Sequence, residues 1–297
     1  MRAAATGNGH IKRGFGSRAF DIFNVIFLVL LALTTIYPFW DALMVSVSSL
    51  KGYLSSSIHI WPSEFSFEGY DYMLHKAELW SSYGNTLFIT VVGTVINLLI
   101  TVLTAYVLSK PNLRGHRVLT FMAVFTMMFS GGVIPTYMVI KDLRLINTLW
   151  SMILPCAINT YNLIIMRNFF VGVPKELEES GMLDGCTEIG VLFKIVLPVS
   201  IPAVTTITLF YAVDHWNDFF SAIMYINSQK IWPLQLFLRS MLFESDAAYS
   251  SGGDSMFLLG QPMKMAAVML AIIPIMCVYP FFQKYFTKGV MVGAVKG

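Results

Sequence analysis

The run LFITVVGTVINLLITVLTAYVL, residues 87–108, contains no charged side chain. A helix needs about 20 mostly apolar residues to cross the hydrocarbon core of a bilayer. A membrane-spanning strand is only about ten residues long and alternates apolar with polar side chains, which this run does not do. The whole chain has the same character, since 56% of its residues are hydrophobic and 12% are charged. The sequence therefore predicts an all-α membrane protein.

Apolar runs of sufficient length recur along the chain and predict six membrane-spanning helices. These helices are predicted at residues 20–40, 85–108, 119–140, 148–170, 199–220 and 265–286. The first run follows a basic leader but has no clear cleavage site, so we interpret it as an uncleaved anchor. The predicted organisation is a cytoplasmic segment at 1–19, a transmembrane domain at 20–290 and a cytoplasmic tail at 291–297.

The distribution of basic residues predicts the orientation, because Lys and Arg resist translocation. With the N-terminus inside, 13 of the chain's 20 Lys and Arg residues fall in segments 1–19, 109–118, 167–198 and 283–297. Both termini are then cytoplasmic in a multi-pass membrane protein. This topology also accounts for the net charge of +3, and no nucleic-acid partner is needed to explain it.

Residues 173–198, VPKELEESGMLDGCTEIGVLFKIVLP, interrupt the apolar runs with a polar pattern. Glutamates fall in the first turns of a helix predicted over 175–184, and Gly185 follows its end, where a left-handed residue stops a helix. Thr187 is positioned to cap a second helix, whose apolar residues recur every three or four positions as far as Pro198. Two short helices joined by a tight turn are predicted.

This stretch resembles the conserved cytoplasmic loop of permease subunits of ATP-binding-cassette importers, written as E-A-A, a later glycine and I-x-L-P. Here Glu179 is the glutamate, Gly185 the glycine, and Leu197 with Pro198 the closing pair. The two alanines are replaced by Ser180 and Gly181, which are also small, although glycine weakens a helix by up to about 1 kcal/mol relative to alanine. We call residues 173–198 the coupling loop.

The resemblance covers nearly the whole chain. The segments FSGGVIPTYMVIKDL, NLIIMRNFF, HWNDFFSAIMYI and the final GAVKG resemble MalG-like permeases of the carbohydrate-uptake branch, of the LplC/YtcP type. The resemblance implies the type I importer permease fold, six transmembrane helices with a cytoplasmic coupling helix, in a bacterial cytoplasmic membrane. It implies a permease subunit of an ATP-driven, binding-protein-dependent oligosaccharide importer. The second permease of an alginate importer is one candidate, which would make acidic oligosaccharides such as alginate fragments the substrate.

The resemblance also implies the partners: a second permease subunit forming a heterodimer, two ATPase subunits and an extracytoplasmic binding protein. Residues implied in coupling to the ATPase are Glu178, Glu179, Gly181, Asp184, Gly185, Leu197 and Pro198, with the tail residues Gly293, Val295 and Lys296. The chain has no G-x-x-x-x-G-K-[ST] phosphate loop, so ATP and Mg²⁺ are expected to act in the ATPase subunits. We expect no catalytic residue, no bound cofactor and no metal site in this chain.

Polar and aromatic side chains inside predicted spans are the candidates for the substrate path, because such groups are costly in lipid unless they face a cavity or a partner. These candidates are Asn159, Tyr161, Asn162, Tyr211, Asp214, His215, Trp216 and Asn217. The alternatives are hydrogen bonds between helices for Asn159 and Asn162, and an interfacial anchor for Trp216. Asp214 and Asp218 also leave open an ion-coupled secondary sugar carrier.

Overall fold

The computed structural model describes residues 15–55, 59–250 and 260–294. In these ranges the backbone is mostly helical, and extended pairing is limited to one bridge between Ser48 and Phe65. The helices are α1 (Phe15–Ser46), α2 (Leu50–Leu54), α3 (Glu68–His75), α4 (Ala77–Ser109), α5 (His116–Met128), α6 (Val133–Asp142), α7 (Trp150–Ile153), α8 (Thr160–Val171), α9 (Lys175–Leu183), α10 (Glu188–Val191), α11 (Leu197–Val199), α12 (Ile201–Asn217), α13 (Phe220–Tyr225), α14 (Leu234–Ser250) and α15 (Gln261–Ala294). A π-helical turn, Leu192–Val196, joins α10 to α11.

Three of the predicted spans form unbroken helices that are long and apolar enough to cross a membrane. They are Phe20–Ser46 within α1, Ala77–Ser109, and Gln261–Val278 within α15. The apolar side chains of α1 from Phe20 to Trp40 are largely exposed, as expected for a helix that faces lipid. The all-helical class predicted from the sequence is confirmed in the described part of the chain.

Sharp bends occur at two further predicted spans, one within the span at 119–140 and one where the coupling loop enters the span at 199–220. α5 and α6 meet at 112°, and the helical stretch Glu188–Val199 meets α12 at 87°. At the first bend Gly132 has a φ of 88°, a left-handed conformation that favours glycine and ends a regular helix. At the second bend Ser200 separates Pro198 from Pro202, and neither proline can donate a backbone hydrogen bond.

The predicted span at 148–170 is interrupted. α7 has four residues and α8 has twelve, so α8 alone is shorter than a bilayer-crossing helix. The intervening segment 154–159 contains Pro155, which lacks an N–H for a helical hydrogen bond. Three of the six predicted spans therefore form unbroken helices that are long enough to cross a membrane, the span at 119–140 is bent, and the span at 148–170 is interrupted. The span at 199–220 contains the unbroken but shorter α12, which meets the coupling loop at a bend.

Helix α4 lies at the centre of the fold and packs mainly against α8 and α12. One buried cluster joins α4 to α8, the coupling loop and α12, and includes Tyr106, Phe170, Leu192 and Ile207. A second cluster, toward the opposite end of α4, joins α3, α4, α12, α14 and α15 and includes Leu79 and Trp216. Burial of these apolar side chains holds α4 between the coupling loop and the rest of the helices.

Candidate functional site

The coupling loop has the two short helices and the turn that its sequence predicts. α9 ends at Leu183, and Gly185 follows with a φ of 83°. The backbone N–H groups of Gly185 and Cys186 donate to the carbonyls of Met182 and Gly181, both at 3.0 Å. Thr187 Oγ1 then accepts a hydrogen bond of 3.2 Å from Gly190 N–H and caps α10.

The apolar face of the second helix packs into the α4–α8–α12 cluster through Val191, Leu192 and Val196, which are buried. Ile189 is one of the apolar residues whose spacing of three or four positions predicted this face, but it is 66% exposed. Ile189 and Val191 are two residues apart on α10 and point in nearly opposite directions, so burial of Val191 leaves Ile189 exposed.

Gly181 occupies the position where the E-A-A pattern has an alanine, and it is buried against its own chain. A Cβ added there would collide with Cδ1 of Ile195 and lie 3.4 Å from Cγ2 of Val191. The absence of a side chain at Gly181 therefore lets α9 pack closely on the second helix of the loop. Leu197 is half-buried against the same cluster, and Pro198 is exposed.

The opposite surface of the coupling loop is exposed and partly apolar. Leu183 is 88% exposed at the end of α9, and Glu179 and Asp184 on either side of it are exposed too. Glu178 is less exposed than these residues, because its carboxylate forms an ion pair with Lys110 at the end of α4. Of the tail residues, Gly293 lies in α15, whereas Val295 and Lys296 lie outside the described residues.

A second feature is an open cavity of about 640 Å³ between α4, segment 154–159, α12 and the start of α13. It brings together five of the eight predicted substrate-path residues, namely Asn159, Tyr211, Asp214, His215 and Asn217. Asp218 also lines it, and its Oδ1 accepts a hydrogen bond of 3.0 Å from Ser221 N–H. Most of the predicted polar groups of α12 therefore do share one cavity.

Buried hydrogen bonds fix the wall of this cavity. The hydroxyl of Tyr211 lies 2.7 Å from Thr101 Oγ1 and accepts a 3.0 Å hydrogen bond from Asn159 N–H. Asn97 Nδ2 lies 3.2 Å from His215 Nε2 and donates to the carbonyl of Cys156 at 3.0 Å. These contacts tie α4 to α12 and to segment 154–159 in a largely apolar setting, where leaving such groups unpaired costs about 1–3 kcal/mol each.

Three predicted path residues lie outside the cavity lining. Tyr161 is 55% exposed on α8, and Asn162 is buried in the protein. The indole of Trp216 packs in the second cluster with its ring centroid 6.5 Å from that of Tyr83. Of the two aromatic residues Tyr211 and Phe220 that line the cavity, Phe220 is 57% exposed, whereas Tyr211 is only 2% exposed and belongs to the wall.

Sequence reasoning missed Asn97, Cys156 and Ser221, which also line the cavity. Asn97 had a visible signal, since it is an amide within the uncharged run 87–108. The sequence gives no comparable signal for Cys156 and Ser221, because their position beside the cavity depends on the break at 154–159 and on the turn after α12. Among the described residues, no three His, Cys, Asp or Glu side chains form a metal site.

Comparison with known proteins agrees with this architecture. Residues 103–292 match the family described as "Binding-protein-dependent transport system inner membrane component". The chain is 44% identical to Protein LplC of Bacillus subtilis over 94% of this chain and 96% of that protein. It is 42% identical to the polygalacturonan/rhamnogalacturonan transport system permease protein YtcP of the same organism, over 95% of this chain and 99% of that protein.

A solved structure has the same fold. It is a crystal structure of a bacterial ABC transporter involved in the import of the acidic polysaccharide alginate, and one of its chains matches with a TM-score of 0.84. The sequence identity is 34%, and the match covers 92% of this chain and 98% of that one. The chain belongs to the binding-protein-dependent transport system inner membrane components, and it is a permease subunit of an ABC importer.

Proposed function

We propose that this permease imports oligosaccharides and that the 640 Å³ cavity is its half of the translocation path. The cavity carries the proposal, because it combines amide, hydroxyl and carboxylate groups with the exposed ring of Phe220. Sugars present hydroxyls and flat C–H surfaces that pair with such groups. The names of YtcP and of the alginate importer support a carbohydrate substrate.

Transport of acidic oligosaccharides, such as alginate fragments, should be compared with transport of neutral ones. Asp214 and Asp218 line the cavity, and no Lys or Arg is among the described residues that line it. Coulomb repulsion disfavours a uronate next to these carboxylates. If the substrate is acidic, its carboxylates must find cationic partners elsewhere, and the second permease subunit of the proposed heterodimer is the natural source.

The proposed assembly contains this chain, a second permease, two ATPase subunits that bind ATP and Mg²⁺, and an extracytoplasmic binding protein. The coupling loop and both termini lie on the cytoplasmic side. Lys110 and Arg167 support this orientation, because they cluster at the coupling-loop end of α4, as Lys and Arg do on the cytoplasmic side. Leu183, Glu179 and Asp184 form the exposed surface that docks on an ATPase.

The proposal is tested by uptake into proteoliposomes that contain the complete transporter. We expect ATP-dependent accumulation of an oligosaccharide only when the binding protein and both permeases are present. Uronate and neutral oligosaccharides are compared at equal concentration, because the binding protein and the cavity both contribute to selectivity. Addition of an ionophore should leave uptake unchanged. Uptake that collapses with the ion gradient and continues without ATP would favour the secondary carrier instead.

The cavity can be tested separately through its own cysteine. Cys156 lines the cavity, and the other two cysteines, Cys186 and Cys277, can be replaced by serine. In this background we expect a charged methanethiosulfonate reagent to modify Cys156 in the intact transporter, and a transported oligosaccharide to slow that reaction. A Cys156→Ser variant is the control for background labelling. Modification at the same rate with and without a transported sugar would show that the path lies elsewhere.

A further inference from the structure

Lys110 and Glu178 connect two parts of the protein that lie 68 residues apart in sequence. Lys110 directly follows the last residue of α4, and Glu178 lies in the middle of α9. Their side chains form an ion pair in which the Lys110 side chain is 30% exposed and the Glu178 side chain 13% exposed. The pair is therefore mostly withdrawn from solvent, unlike the surface ion pairs that contribute little.

Neighbouring groups fix the Lys110 end of this pair. The ammonium lies 4.3 Å from the centroid of the Tyr106 ring, on the preceding turn of α4. Burial by itself lowers the pKa of Lys110, but the interactions with Glu178 and Tyr106 outweigh it and the pKa is raised. Arg167 Nε donates a 2.9 Å hydrogen bond to the carbonyl of Leu108, which anchors the same end of α4 to α8.

The rest of α9 makes little polar contact with the helical body. Glu176 and Glu179 are exposed, and Gly181, the buried residue of α9, contacts the second helix of the coupling loop. In the described part of the chain, the Lys110–Glu178 pair is thus the polar contact between α9 and α4. The apolar cluster holds the second helix of the loop, on which α9 packs through Gly181, while the Lys110–Glu178 pair links α9 directly to the end of α4.

The same helix α4 reaches the cavity wall. Thr101 and Asn97, which hold Tyr211 and His215, lie nine and thirteen residues before Lys110. At a rise of about 1.5 Å per residue, these positions are roughly 14 and 20 Å along α4 from the ion pair. An unbroken helix that is fixed at both ends transmits a displacement over this length with little loss, because packed interiors are not readily compressed.

We propose that Lys110 and Glu178 are positioning residues that transmit the movement of α9 to α4 and, through Asn97 and Thr101, to the cavity wall. The inference rests on the proposed docking of α9 to an ATPase. The pair makes α4 follow α9 when the ATPase moves it. Without the pair, α9 still docks and ATP is still hydrolysed, but the cavity opens less often for each ATP consumed.

Exchange of the two charges tests this proposal. Lys110→Glu and Glu178→Lys each place like charges together, and we expect uptake per ATP hydrolysed to fall roughly five- to tenfold, the lower part of the range for coupling between sites. The double variant with both substitutions restores an ion pair and should recover at least half of the wild-type ratio. A Lys110→Arg variant keeps the pair and should stay close to wild type.

Controls separate this outcome from misfolding and from failure of the proposed function. Lys194→Glu reverses an exposed charge in the same loop and should leave the uptake per ATP hydrolysed unchanged. Retention of the ATPase during purification shows that each variant assembles. The proposal would be overturned if the single variants kept the wild-type uptake per ATP hydrolysed. It would also be overturned if the double variant assembled but did not regain that value. If the wild-type complex shows no ATP-driven uptake, the proposed function itself fails, which is a different result.

Discussion

Replacement of Gly93 by alanine is expected to abolish most uptake, although the change adds a single methyl group. A Cβ at this position would lie 2.5–2.9 Å from three ring atoms of His215, which is only 5% exposed. The ring cannot move away without breaking its contact with Asn97 or pushing α12 away from α4 at this point. Overpacking of this kind typically costs about 1–3 kcal/mol, a large part of the stability of most proteins.

The measurement is the thermal unfolding midpoint of the purified chain in detergent, together with uptake. Gly84 is a matched control on the same helix, because no atom lies within 4 Å of a Cβ added there. We expect Gly84→Ala to be as stable as wild type or slightly more stable, since alanine favours helix. His215→Ala in the Gly93→Ala background should recover stability by removing the ring. A Gly93→Ala chain as stable as wild type would show that α4 and α12 do not pack this closely.

The sequence predicted best those features that depend on neighbouring residues. α9, the left-handed turn at Gly185 and the Thr187 cap follow from short-range rules, and all three are present. The apolar runs predicted helices but could not report where they bend, because hydropathy averages over the residues that break a helix. Gly132 and Pro155 mark two of the breaks and were readable in principle.

The site was predicted less completely for a related reason. Five of eight path residues share the cavity because α12 carries most of them on one helix. Trp216 was expected beside its neighbours but points into the second cluster, since adjacent residues on a helix face different directions. The Lys110–Glu178 pair could not be predicted at all, because nothing local relates two charges that meet only through the folding of α4 against the coupling loop.

Replacement of Leu183 by aspartate is the second large effect that we expect. Leu183 is 88% exposed at the tip of α9 beside the exposed Met182, and adjacent exposed apolar side chains are typical of a surface that binds a partner. Truncation of an interface hot spot costs about 2 kcal/mol or more, and a buried charge adds to this. We therefore expect binding of the ATPase to weaken roughly thirtyfold or more, since 1.4 kcal/mol is tenfold in affinity.

The measurement is the affinity of the detergent-purified permease pair for the ATPase subunit. Leu143→Asp is the matched control, because Leu143 is also exposed, at 63%, but follows α6 rather than the coupling loop. Its affinity should equal that of wild type. The two proposals about α9 then predict different results. Leu183→Asp weakens ATPase binding and the hydrolysis that depends on it, whereas Lys110→Glu leaves both unchanged and lowers uptake per ATP hydrolysed. Equal affinity of Leu183→Asp and wild type would place the ATPase contact outside the tip of α9.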